Sequence, residues 1–258
     1  VFILNQNKQR KRVSMVKINI LGVGFDKYSL AEFEARFLDR LRKKESTLVV
    51  TANPEIVMAA KEDPEYREII NNVADYVTAD GIGIIKGAKM LGLKLPERVT
   101  GYDLFCWYLQ IANEDHLRVY LIGAKPAVIA AVKEKIAKDY PGIDLVGAED
   151  GYSKDALPEI ASRIAQSGPD LVFAALGFPK QEKLLAILRK QNLSASMMGV
   201  GGSFDVFAGA VKRAPKLFQD AHLEWFYRLL KEPSRIGRMM VLPKFVVEVK
   251  KSKKQDQQ

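Results

Sequence analysis

Cysteine is nearly absent from this chain: Cys106 stands alone among 258 residues. A single thiol cannot close an internal disulfide, so the composition suits a reducing cytoplasm. His116 and His222 are the only histidines, too few and too isolated to build a histidine metal site. No apolar run approaches the ~18–20 residues of a membrane-spanning helix, Leu171–Leu176 being among the longest. The first residues have neither an apolar h-region nor a small-residue cleavage site, so no secretory signal is expected. No Asp-x-Asp triplet occurs, which removes the usual carboxylate clamp for a metal-bound nucleotide. Gly22-Val23-Gly24 runs on into Phe25-Asp26-Lys27, so Gly-x-Gly-x-x-Gly is missing after the first strand, against a dinucleotide oxidoreductase. Neither a metal nor a cofactor is expected.

What remains is ample for a core. The chain is 28.9 kDa and 48% hydrophobic, enough for one large α/β domain, alone or with a small appendage. The net charge of +9 is unevenly placed. Residues 1–17 hold five basic and no acidic side chains, and residues 213–258 hold eleven basic and five acidic. The intervening body nets −2. Basic ends around a near-neutral body fit an anionic lipid surface, nucleic acid or a solvated tail.

The pattern along the chain gives three parts: a basic, aperiodic extension over 1–14, an α/β domain over 15–209 and a helical segment over 210–258. Strands are expected at Lys17–Gly22, Leu48–Thr51, Tyr76–Thr78, Arg118–Ile122, Ile143–Val146, Leu171–Leu176 and Ser196–Val200. Helices fall between them, one opening at Ser29 with Glu32 completing a capping box. That alternation predicts a Rossmann-like parallel sheet with helices on both faces. Beyond Gly209 two helices are expected, over Lys216–Lys231 and Ser234–Lys250, with Pro215, Pro233 and Pro243 as punctuation.

Ligands of open parallel sheets bind at the carboxyl ends of the strands, and the polar and glycine residues gather there. Asp80 ends a strand before Gly81, a place equally suited to a general base and to a helix N-cap. Gly199-Val200-Gly201-Gly202 would let backbone N–H groups approach a diphosphate, or form an ordinary tight turn. Asp205 follows it, placed to accept hydrogen bonds from a ribose or a uracil. Tyr152 sits in a polar loop where it would stack on a base or pack as a buried aromatic. A leaving diphosphate without metal needs cations, which Arg98 and the basic C-terminal segment would supply.

Seven stretches stand in a telling order: Thr51-Ala52-Asn53-Pro54-Glu55, Ala79-Asp80-Gly81-Ile82-Gly83, Arg98 through Asp103, Gly177 through Glu182, Gly201 through Gly209, Lys212 through Pro215 and Leu223 through Leu229. Together they resemble the WecG/TagA/CpsF family of glycosyltransferases, from about Val16 to Lys250. The resemblance is greatest to the teichoic-acid branch. It implies inverting transfer of N-acetylmannosamine from UDP to the 4-hydroxyl of undecaprenyl-diphosphate N-acetylglucosamine, at the inner face of the plasma membrane. It maps the catalytic base onto Asp80 and polar active-site positions onto Thr51, Asn53, Arg98 and Gln181. It places Tyr152 and Asp205 around the nucleoside, and Gly201 and Gly202 by the diphosphate. The segment after Gly209 matches an appendage whose cations, Arg213, Arg228 and Arg235, approach both membrane and site. The alternatives are the same fold acting on another donor, such as a mannosaminuronate, and a basic nucleic-acid-binding module. The near-neutral body and the lack of a nucleic-acid motif count against the latter. A homo-oligomer is compatible with the sequence.

Overall fold

A computed structural model describes residues 17–212, Pro215, Phe218 and residues 240–255. The expected extension over 1–14 lies outside the described residues. So do nearly all of the helix expected over 216–231 and the first residues of the one expected from Ser234.

The chain opens on a hairpin, β1 (Ile18–Ile20) and β2 (Val23–Phe25), paired antiparallel. Its turn residues Leu21 and Gly22 have φ of 52° and 90°, the positive values that a tight two-residue hairpin demands. Helix α1 (Leu30–Arg42) follows, with the expected capping box between Ser29 and Glu32. Strand β3 (Thr47–Ala52) leads through the Asn53 cap into α2 (Pro54–Glu62), then α3 (Pro64–Glu68) and a π-helical turn, Ile69–Val73. Proline starts both helices, where its missing N–H costs nothing. Next come β4 (Tyr76–Ala79), α4 (Ile82–Met90), α5 (Gly101–Glu114), β5 (Arg118–Gly123), α6 (Pro126–Asp139) and β6 (Asp144–Glu149). The domain closes with α7 (Leu157–Ser167), β7 (Leu171–Ala175), α8 (Lys180–Lys190), β8 (Ser196–Gly199) and the short α9 (Ser203–Phe207). Helix α10 (Val241–Gln255) is the last described element.

Six strands form one sheet in the order β4-β3-β8-β7-β5-β6, and every pairing is parallel. All six residues of β3 and all five of β7 are buried, as strands covered on both faces must be. Alternate side chains feed two cores. Leu48, Val50 and Ala52 join α2, α4, α7 and α8 on one face, while Val49 joins α1, α5, α6 and α9 on the other. The expected doubly covered α/β sheet is thus the one found.

One strand went elsewhere. Lys17–Gly22 was expected within the strand–helix alternation, but Ile18–Ile20 pairs only with β2. The hairpin instead caps the sheet edge beside β4. The Asp26 N–H donates to Val77 O, and the Val77 N–H donates to Asp26 Oδ2. Asn71, on the π-helical turn, donates to Gly22 O and accepts the Gly24 N–H. An edge so covered offers few free groups for pairing with another chain.

Helix α10 carries Pro243 in its first turn, where helices tolerate it. Its Phe245 and Val249 are buried in the same core as α2 and α4. Phe245 lies so close over Gly87 that a Cβ there would come within 2.9 Å of its ring. Lys61 of α2 pairs with Glu248 of α10. The opposite side of α10 exposes Val246 and Val247 beside its lysines.

Candidate functional site

Because the sheet is parallel, every strand delivers its carboxyl end to the same side. Strands β3 and β8 are neighbours there although 148 residues separate Thr51 from Gly199, whose carbonyl accepts the Thr51 hydroxyl at 3.2 Å. Thr51 is buried, and a Cβ on Gly101 would lie 2.9 Å from its Oγ1. Glycine at 101 is therefore what lets α5 start against the end of β3. The helix begins at Gly101 because Thr100 caps it, accepting the Asp103 N–H at 3.1 Å.

Asp80 is half-buried at the end of β4 and accepts the Gly101 N–H on Oδ2 at 3.1 Å. The helix-cap alternative for α4 does not hold. The residue in that place is Gly81, with φ 104° and no side-chain cap. Asn53 caps α2, its Oδ1 accepting the Ile56 N–H at 2.9 Å, so its amide nitrogen is the group it can turn to a ligand. Arg98 is half-buried and adjoins the end of β4, because the Val99 N–H donates to Ala79 O and Thr78 donates to Val99 O. Thr51, Asn53, Arg98 and Asp80 thus cluster at the exits of β3 and β4.

Gln181 lies on a second wall and is buried. Its Oε1 accepts the Gly201 N–H at 3.2 Å, and its Nε2 donates to Glu182 Oε1 at 2.7 Å. The Gly201 amide, expected to face a diphosphate, is thereby spent on the protein. Among the described residues the outer sides of Gly201 and Gly202 are open, since a Cβ on either would meet none of their atoms within 4 Å. Gly201, at φ 49°, also turns the chain as a tight loop would.

Tyr152 is 66% exposed, so the buried-aromatic alternative fails. It stands on the rim of a cleft of about 510 Å³ with Pro126, Ile129, Ala148, Glu149 and Asp150. Glu149 is held below the usual carboxylate range chiefly by hydrogen bonding to Arg163, at 2.9 Å. Asp205 comes from α9, and α9 packs on α6, which also forms the wall of that cleft. Three strand spacings of ~4.8 Å separate β6 from β8, about 14 Å in all, so a ligand touching both must be extended. Arg213, Arg228 and Arg235 lie outside the described residues.

Two side chains escaped the sequence reading. Glu182 is 1% exposed, and burial raises its carboxyl above the ordinary range. The signal was present: carried back one turn, the apolar stripe Leu184, Leu185, Leu188 lands on positions 181 and 182. Lys180, at the start of α8, reaches the Gly151 carbonyl of the Tyr152 loop at 3.5 Å.

The chain matches the Glycosyl transferase WecG/TagA/CpsF family over residues 18–258. It is 44% identical over 222 residues to a Bacillus spizizenii protein named N-acetylglucosaminyldiphosphoundecaprenol N-acetyl-beta-D-mannosaminyltransferase, covering 86% of this chain and 84% of that one. The Bacillus subtilis protein of the same name is 41% identical, with 84% and 86% covered. A Staphylococcus aureus protein, again so named, is 37% identical over 246 residues, covering 95% and 96%. Similarity of this extent spans both walls of the cleft, and the chain belongs to the WecG/TagA/CpsF family of glycosyl transferases.

Proposed function

We propose that this chain transfers N-acetylmannosamine from UDP to the 4-hydroxyl of N-acetylglucosamine on an undecaprenyl diphosphate. The observation that carries this is the shared name of relatives 37–44% identical over most of the chain. The geometry supports it. Asp80 acts as general base, taking the acceptor hydroxyl's proton as that oxygen attacks the sugar's anomeric carbon from the side opposite UDP. Thr51, Asn53, Arg98 and Gln181 shape the sugar and acceptor region around it. The open face of Gly201 and Gly202 meets the diphosphate, and Tyr152 with Asp205 flanks the nucleoside. Arg98 and the appendage arginines Arg213, Arg228 and Arg235 neutralise charge on the departing UDP.

No described helix is long and apolar enough to cross a membrane. The exposed Val246 and Val247 beside the lysines of α10 support peripheral attachment to an anionic surface, where the lipid-linked acceptor resides. The test is a donor screen against a short-chain lipid-diphosphate N-acetylglucosamine. UDP-N-acetylmannosamine should be the preferred donor, with the β-linked disaccharide as product. Preference for the uronate sugar, or no transfer at all, would overturn the reading.

A further inference from the structure

Glu182 has no part in the chemistry above, yet it lies directly beneath the Gly199–Gly202 loop. A Cβ on Gly199 would sit 2.5 Å from Gln181 Nε2 and 3.0 Å from Glu182 Oε1. The last residue of β8 therefore rests on this pair of side chains, while Thr51 grips its carbonyl from the other side. A glutamine amide can present either end to a neighbour, and a backbone N–H such as that of Gly201 can only donate. Glu182 Oε1 thus draws Gln181 Nε2 towards itself at 2.7 Å and leaves Oε1 of Gln181 to hold the Gly201 N–H. Reversing the amide would set a donor against the Gly201 donor.

A purely structural side chain here would be better apolar. Replacing a whole buried polar pair by apolar side chains of similar volume is often neutral or stabilising, whereas removing one partner alone leaves the other unpaired. The Glu182 carboxyl lies near the Tyr66 hydroxyl, and burial outweighs its hydrogen bonds and lifts it above the ordinary carboxylate range, so the carboxyl is retained at a cost to the fold.

We propose that Glu182 is a positioning residue for the donor diphosphate: it orients the Gln181 amide, and Gln181 sets the conformation of the Gly201–Gly202 backbone. The proposal rests on the reading that this loop meets the diphosphate. The carboxyl touches neither substrate; its effect passes through one amide.

The experiment is a double-mutant cycle. Glu182→Met and Glu182→Gln are made alone and with Gln181→Ala, and the donor and acceptor KM, UDP affinity by calorimetry and Tm are read. Losing the anchoring hydrogen bond should raise the donor KM and the UDP Kd about tenfold in Glu182→Met and about threefold in Glu182→Gln. The acceptor KM should stay within twofold, and the Tm of Glu182→Gln should be unchanged or higher. In the Gln181→Ala background neither substitution should do anything further, because the link is already cut. Donor parameters within twofold of wild type in both single variants, or effects that multiply with Gln181→Ala, overturn the proposal. Should Glu182→Met not fold, Glu182→Gln decides by the same cycle. Gly202→Ala serves as the control, adding at φ −77° a methyl that no described atom meets within 4 Å. If it leaves UDP affinity unchanged, the loop reading itself falls. If it weakens UDP while the Glu182 variants do not, only the positioning role falls.

Discussion

Asp80 and Gly101 are joined by one hydrogen bond, the backbone N–H of Gly101 donating to Asp80 Oδ2 at 3.1 Å. The carboxyl at the end of β4 is thereby fixed by the first turn of α5, whose close approach depends on glycine. Thr51 touches the same glycine from β3. If Asp80 is the base proposed above, this backbone contact helps to keep its carboxyl directed towards an incoming hydroxyl.

Asp80→Asn keeps an oxygen for the Gly101 N–H but cannot take a proton at neutral pH. Turnover should fall by ~10²–10⁴, with UDP affinity and Tm close to wild type. A kcat near wild type would remove Asp80 as the base.

Tyr152→Ala tests the nucleoside wall. Stacking of a base on an aromatic ring contributes ~1–3 kcal/mol, so the UDP Kd should rise roughly tenfold or more. Because the ring is 66% exposed, the Tm should hardly move. Unchanged UDP affinity by calorimetry would place the base elsewhere.

Reversing two lysines at the end of α10, Lys253→Glu with Lys254→Glu, tests the membrane face. Both residues are exposed, and each cation near an anionic surface contributes about 1 kcal/mol. Co-sedimentation with anionic liposomes should weaken at least tenfold, binding to neutral liposomes should not change, and turnover on a short-chain soluble acceptor should be unaffected. Equal loss on both liposome types would point to a disturbed fold instead of a charged face.

Glu182 gives a pH-dependent expectation. Burial lifts its carboxyl above the ordinary range, against the opposing pull of Gln181, its own backbone N–H and Tyr66. The folded state then binds the proton more tightly than the unfolded chain, so this site favours folding at low pH and loses that contribution as pH rises. Glu182→Gln, with no charge to bury, should be more stable than wild type at pH 7.5 in urea titrations. The difference should shrink as pH falls towards about 4.5, the region of an unperturbed glutamate. A gap that widens on acidification would contradict the burial argument.

Much of this architecture is legible locally. Pro126 at the start and Val128, Ile129, Val132 and Ile136 on one face specify α6, which runs from Pro126 to Asp139. Asn53-Pro54 announces α2, and Ser29 with Glu32 announces α1. These signals act within a turn of helix, where capping and period need no distant partner. A helix was readable over this last segment too, although it runs on to Gln255, past the expected end at Lys250. Which surface it covers was not, because that depends on Gly87, which leaves space for the Phe245 ring.

The sequence by itself determined the strand–helix alternation, the polar strand ends and the family motifs. Only the tertiary structure decided that β1 leaves the sheet for a hairpin, that β3 lies beside β8, and that Gln181 faces inward to hold Gly201. The physical reason is range. Capping and amphipathic period are settled by neighbours three or four residues apart, whereas strand order answers to the burial of two whole faces at once. A contact such as Thr51 with Gly199, 148 residues apart, exists only once that larger problem has been solved.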